Sequence, residues 1–171
     1  MSENFKQKLK HITTFMFDVD GVLTDGKVYF FHDGTPVRNL NNKDSFAIHL
    51  AKKKGYRIVI ITGGSSEVTR DALLRNGVDH VFLKQHDKLA CYKDYIAEHG
   101  LKDENILYMG DDLPDWEVMQ RVGVAVCPND SAQEIKDICL HISDKKGGEG
   151  CARDVIEQVL RVRGDWGFSH W

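Results

Sequence analysis

The chain has 171 residues, 42% of them hydrophobic, enough to bury the core of one compact domain. Its formal net charge is −3, with acidic and basic residues interspersed, so it lacks the strongly basic face of a nucleic-acid binder. No window approaches the roughly 20 apolar residues of a membrane span, and the polar start MSENFKQKLKHITTF holds no apolar signal segment, so a cytoplasmic protein is expected. Cys91, Cys127, Cys139 and Cys151 form neither a CxxC pair nor a zinc spacing and read as reduced thiols.

In chain order, FMFDV reads as a buried strand that runs directly into Asp18-Val19-Asp20-Gly21. Residues 26–40 read as a β-hairpin, because Asp33-Gly34 between apolar runs is a strong turn signal. DSFAIHLAKKKG places Phe46, Ala47, Leu50 and Ala51 on one helical face, with Gly55 as its stop. RIVIIT is a second core strand, followed by a helix opened by serine and closed by Gly77. HVFL is a short strand. DKLACYKDYIAEHG is a helix with Asp87 as N-cap. ILYMG is another strand, and Pro114 sits where the next helix begins. VAVC is short and β-rich, and CARDVIEQVLRVRG carries Ala152, Val155, Ile156 and Val159 at helical spacing.

Near-continuous apolar strands alternating with amphipathic helices predict an α/β fold, a doubly wound, mostly parallel sheet of Rossmann-like type covered on both faces. In such sheets ligands bind beyond the carboxyl ends of the strands. Asp18 and Asp20 follow the first strand, Thr62 ends RIVIIT, and Gly110-Asp111-Asp112 follows ILYM, so three polar clusters converge on one rim. Carboxylates gathered this way repel one another unless a cation joins them. An all-oxygen donor set suits Mg²⁺, held by Asp18 and Asp111 with Asp112 or Asp115 in support. The accompanying groups suit a phosphate. Thr62 and the Gly63-Gly64 backbone precede a helix N-terminus. Lys88, in the first turn of a helix, opposes the helix dipole and either is solvated or answers a negative charge. On the residues alone two reactions stay open: attack of a carboxylate on phosphorus followed by hydrolysis, or acceptance of a phosphoryl group as a signal, as in a receiver domain.

Four stretches then occur in order: FMFDVDG, IITGG, HDKL and GDDLPD. Together they resemble the motifs of the haloacid dehalogenase-like phosphatases, over about Thr14 to Leu160. The resemblance implies Asp18 as nucleophile and metal ligand, and Asp20 as general acid/base with its backbone carbonyl on Mg²⁺. It implies Thr62 and Lys88 on the phosphoryl group, Asp111 on the metal, and Asp112 and Asp115 holding metal-bound waters or Lys88. Only 41 positions separate Asp20 from Thr62 and 25 separate Thr62 from Lys88, so neither gap holds a cap domain. A single capless core domain spanning 1–171 is expected, its open site covered by a macromolecular substrate or by another subunit.

Within the capless group, DVDGVLTDGKVYF, LNNKDSFAI, GDDLPDWEVM and GGEGCARDVIEQVL resemble the family of 3-deoxy-D-manno-octulosonate 8-phosphate phosphatases. That likeness implies a homotetramer built through the hairpins, and hydrolysis of a sugar-acid phosphate in lipopolysaccharide biosynthesis. It also implies substrate contacts from Asn42, Lys43, Asp44 and Ser45. A substrate carboxylate needs a cation, for which Lys43, Arg70, Lys84 and Arg153 are candidates. After IITG the chain has Gly64-Ser65-Ser66, where octulosonate phosphatases often carry Arg-Lys and relatives acting on 2-keto-3-deoxynononate 9-phosphate carry an acidic residue and lysine. The missing acidic residue points to the eight-carbon sugar. The tail, residues 164–171, holds Trp166, Phe168 and Trp171, which dock either on the parent core or in a neighbour's site.

Overall fold

The computed structural model describes residues 4–167. Six strands form one parallel sheet in the order β5-β4-β1-β6-β7-β8: β1 Thr14–Phe17, β4 Arg57–Ile61, β5 His80–Phe82, β6 Ile106–Met109, β7 Val124–Cys127 and β8 His141–Ile142. The chain runs outward from β1 through β4 to β5, then returns to the other side of β1 and continues through β6 to β8. β1 pairs with β4 from Thr14↔Arg57 to Phe17↔Ile60, and with β6 from Thr14↔Ile106 to Phe17↔Met109. The carboxyl ends of the three central strands therefore finish level.

The strand residues divide between two cores by their alternation. Phe15, Phe17, Ile58, Ile60, Leu107 and Met109 pack on one face, under helices α1 (Phe5–Leu9), α2 (Asn42–Lys53) and α7 (Cys151–Arg163). Met16, Val59, Ile61, Ile106 and Tyr108 pack on the other, under α4 (Lys88–Glu98), α5 (Trp116–Met119) and α6 (Gln133–Ile138). Helices on both faces make this a doubly wound sheet. Helix α3 (Glu67–Arg75), capped by Ser66 accepting from the Thr69 N–H, follows β4. Among the described residues, no helix is long and apolar enough to cross a membrane, and no cap domain intervenes between the strands.

The hairpin forms as β2 Tyr29–Phe30 against β3 Pro36–Val37, shorter than its apolar run. Its turn is closed by Gly34 at φ +82°, a conformation open to glycine, and by the Thr35 N–H donating to Asp33 Oδ1. Tyr29, Phe30 and Phe31 are exposed. Trp166 lies over the guanidinium groups of Arg153 and Arg161 on its own α7, whereas Phe168 and Trp171 lie outside the described residues.

Candidate active site

β1 ends in a turn that the sequence makes unusually tight. Asp18 is extended and buried, and Gly21 takes φ +84°. A Cβ on Gly21 would overlap the Asp111 carboxylate, so the glycine lets the loop after β6 close onto the loop after β1. The buried Thr24 hydroxyl ties this turn by accepting from the Gly21 and Gly26 N–H groups.

Lys88 is the centre of the cluster. Its ammonium lies 2.7 Å from Asp18 Oδ2 and 2.7 Å from Asp115 Oδ1, and its side chain is only 2% exposed. The lysine that opposed its helix dipole thus answers two carboxylates. Burial alone would lower its pKa, but the charges of Asp115 and Asp18 outweigh that and hold it above the ordinary lysine value. Asp115 is fully engaged: Oδ1 also accepts from the Tyr108 hydroxyl at 2.7 Å, and Oδ2 from the Asp111 N–H. Asp18 Oδ1 accepts from the Val19 N–H at 2.6 Å.

Asp18, Asp111 and Asp115 each offer an oxygen within 4.8 Å of the others. One lysine does not neutralise them. Burial, with repulsion from Asp115, pushes Asp18 up to about 6 against the pull of Lys88. Burial and the charges of Asp18, Asp115 and Asp112 push Asp111 to about 7. Hard oxygen donors in surplus of local positive charge are what a divalent cation such as Mg²⁺ requires, so these residues fit one.

Asp18 and Asp111 form the floor of an open cavity of about 420 Å³, and Asp115 is buried. Asp20, Thr62, Gly63, Gly64, Lys88 and Asp112 also line it. Thr62 is buried at the end of β4, with its hydroxyl oxygen accepting from the Gly64 N–H at 3.1 Å. Asp112 is exposed and accepts from the Leu113 N–H. Asp20 is paired at 2.6 Å with Arg38 Nε from the base of the hairpin.

The remaining expected residues lie elsewhere in this chain. Arg70 pairs with Glu67 and Asp71 and borders a small recess next to Asp20 and Thr62. Asn42 and Lys43 are exposed at the start of α2, and Lys43 faces a separate cleft beside Glu149 and Arg153. The Ser45 carbonyl accepts from Asn76 Nδ2. Asp44 is buried under the start of α7, accepting from the Arg153 N–H at 2.7 Å.

Two residues that the motifs do not mark join the site. Tyr108 stands in an otherwise apolar strand, where a buried hydroxyl demands a partner. Arg38 reaches its aspartate 18 positions away only once the hairpin has folded back.

The fold, the capless core and this carboxylate–lysine rim are those of a haloacid dehalogenase-like phosphatase, and the chain belongs to that family. A family model described as haloacid dehalogenase-like hydrolase matches residues 74–154. The 3-deoxy-D-manno-octulosonate 8-phosphate phosphatase KdsC of Escherichia coli (strain B / BL21-DE3) is 30% identical over 164 residues, covering 96% of this chain and 87% of that protein. The crystal structure of a probable yrbi family phosphatase from Pseudomonas syringae superposes with a TM-score of 0.93 at 34% identity, over 96% of this chain and 94% of that one. That of 3-deoxy-D-manno-octulosonate 8-phosphate phosphatase from Moraxella catarrhalis, in complex with a magnesium ion, a phosphate ion and a KDO molecule, gives a TM-score of 0.91 at 30% identity, over 94% of this chain and 92% of that one. Phosphatases of this family use a divalent metal, and the acidic cluster meets that need.

Proposed function

We propose that this protein hydrolyses 3-deoxy-D-manno-octulosonate 8-phosphate, through an aspartyl-phosphate intermediate on Asp18, as a homotetramer. The observation that carries the chemistry is Asp18 at the cavity floor, bonded to a buried Lys88 and clustered with Asp111 and Asp115. The substrate rests on the similarity to octulosonate phosphatases across nearly the whole chain.

Asp18 and Asp111 would hold Mg²⁺, with the Asp20 carbonyl as a further ligand, Asp112 beside it and Asp115 in support through Lys88. Bound there, the metal supplies positive charge to the phosphoryl oxygens. Lys88 and the Thr62 hydroxyl hold the same group, with the Gly63-Gly64 backbone beside it. An Asp18 carboxylate oxygen attacks phosphorus, the phosphorus–oxygen bond to the sugar breaks, and the leaving oxygen takes a proton from Asp20. Asp20 then takes a proton from water as that water attacks the acyl phosphate, returning Asp18 and inorganic phosphate. Asn42, Lys43, Ser45 and Arg70 stand as the proposed sugar-acid contacts, those on α2 acting across subunits of the tetramer, while Asp44, buried under α7, caps that helix instead of meeting the sugar.

The test is phosphate release from the eight-carbon and nine-carbon keto-acid phosphates, with Mg²⁺ and with EDTA, by wild type and Asp18→Asn. Mg²⁺-dependent turnover that favours the eight-carbon substrate and vanishes in the variant is expected. Preference for the nine-carbon compound would replace the substrate and keep the mechanism. Stable labelling of Asp18 by a small phosphodonor without turnover would move the protein to phosphoryl signalling.

A further inference from the structure

Arg38 is a cation paired with Asp20 and not with the Asp18–Asp111–Asp115 cluster. It sits at the base of the hairpin, just past β3, with a side chain only 17% exposed. Its Nε donates to Asp20 Oδ1 at 2.6 Å. The other Asp20 oxygen, Oδ2, lies beside Gly64, 3.5 Å from where a Cβ on that glycine would stand. The carboxylate is thereby held through one oxygen. One oxygen is occupied by the guanidinium, and the other is left at the wall of the cavity that Thr62 and Gly64 also line.

Resting on the reading above, in which Asp20 handles the proton of the leaving group, we infer that Arg38 is a positioning residue for Asp20: it fixes which carboxylate oxygen faces the departing alcohol. The proton itself moves between Asp20 and the leaving oxygen, and Arg38 neither gains nor loses one. Its role is geometric, and general acid catalysis is sensitive to placement within hydrogen-bond reach. The hairpin therefore contributes to chemistry as well as to surface, because the arginine it carries sets the acid.

The consequence is a dependence on the leaving group. A sugar alcohol departs as a strongly basic alkoxide and needs its proton. The p-nitrophenolate ion is stable without one. An Arg38→Ala variant should lose about 100-fold in kcat on 3-deoxy-D-manno-octulosonate 8-phosphate, the scale of a misplaced general acid, with KM within twofold. On p-nitrophenyl phosphate the kcat/KM of the same variant, which reports the steps up to departure of the leaving group and not the shared hydrolysis of the aspartyl-phosphate, should stay within about threefold of wild type. Arg38→Lys, which keeps one donor, should recover part of the loss on the sugar phosphate alone, and thermal unfolding of both variants should match wild type.

Equal losses in kcat/KM on the two substrates would make Arg38 a structural residue and overturn the inference. So would an unchanged kcat, or a raised KM with kcat intact, which would make Arg38 a substrate contact instead. The control that separates this from the underlying reading is wild type against Asp18→Asn on p-nitrophenyl phosphate with Mg²⁺. If Asp18 is dispensable there, the phosphatase mechanism fails and the role of Arg38 fails with it. If Asp18 is essential and Arg38→Ala shows no leaving-group split, only the role of Arg38 fails.

Discussion

On the proposed mechanism Lys88 serves stability and chemistry together. A lysine only 2% exposed survives with its charge because Asp18 and Asp115 both reach it, and Tyr108 completes Asp115 from the strand below. Substituting Lys88→Met would leave three carboxylates facing one another in a buried pocket. Removing one partner of a buried ion pair typically costs about 3 kcal/mol, so urea unfolding in EDTA should show a loss of that order. Phosphatase activity should also disappear, because the phosphoryl oxygens lose their fixed cation. Added Mg²⁺ should restore part of the stability and none of the activity. If Mg²⁺ leaves the unfolding midpoint of the variant unmoved, the carboxylates do not bind it. Tyr108→Phe is a milder probe of the same network. It removes one hydrogen bond from Asp115 and should cost about 1–2 kcal/mol, with kcat reduced less than in Lys88→Met.

At the scale of elements, the contact between α2 and α7 turns on Asp44. Helix α7 begins at Gly150, which has no side chain to cap it. Asp44 reaches across from α2 and accepts from the Arg153 N–H, doing from another helix what a serine or aspartate does at its own N-cap. Its second oxygen, Oδ2, is buried without a hydrogen-bond partner. Burial therefore pushes the carboxyl up from 3.8 to about 6, against the Arg153 and Gly150 N–H groups and the Arg153 charge. A raised carboxyl pKa means the folded state binds more protons than the unfolded one between those two values, so this group's contribution to stability falls as pH rises through that window. Asp44→Asn keeps an acceptor for the Arg153 N–H and cannot titrate. Its stability relative to wild type should improve between pH 4 and pH 7 by an amount on the order of 2 kcal/mol. Urea unfolding of both proteins at the two pH values measures it, and a constant difference would show that Asp44 does not titrate in this range. Elements with strong signals were legible beforehand, for physical reasons. Buried strands such as RIVII are near-continuous apolar runs, and α2, α3 and α4 announce themselves by caps and amphipathic spacing. Helices α1 and α6 and strand β8 carry no such spacing. The first two span barely more than one helical turn and the third has two residues, so none shows a period; packing against the sheet sustains them. The same divide runs through the site. Asp18, Thr62, Lys88 and Asp111 follow strand ends or open a helix, which sequence reveals, whereas the Arg38–Asp20 pair and the Asp44 cap depend on how separate elements meet.

For the whole molecule, the question is what covers the hairpin. Tyr29, Phe30 and Phe31 are 57%, 70% and 65% exposed, and Val68, at the start of α3 across a shared groove, is 79% exposed. Contiguous apolar surface of this kind is uncommon on a monomer and marks an interaction surface. A hairpin of two-residue strands is also too short to be stable by its own ladder, so its order must come from contacts beyond itself. A second copy of the chain meets both needs, and the proposed tetramer places the hairpins at its centre. Wild type should then sediment as a tetramer. Replacing Phe30 and Phe31 together by serine should give a smaller species at the same concentration. The fold should survive, because these side chains take no part in either core. If Arg38 sets Asp20 as inferred, loosening the hairpin should carry over to the chemistry, lowering kcat/KM for the sugar phosphate more than that for p-nitrophenyl phosphate. Wild type that sediments as a monomer would instead leave the hairpin a solvent-facing flap, and the order of Arg38 would then have to come from its ion pair with Asp20 alone.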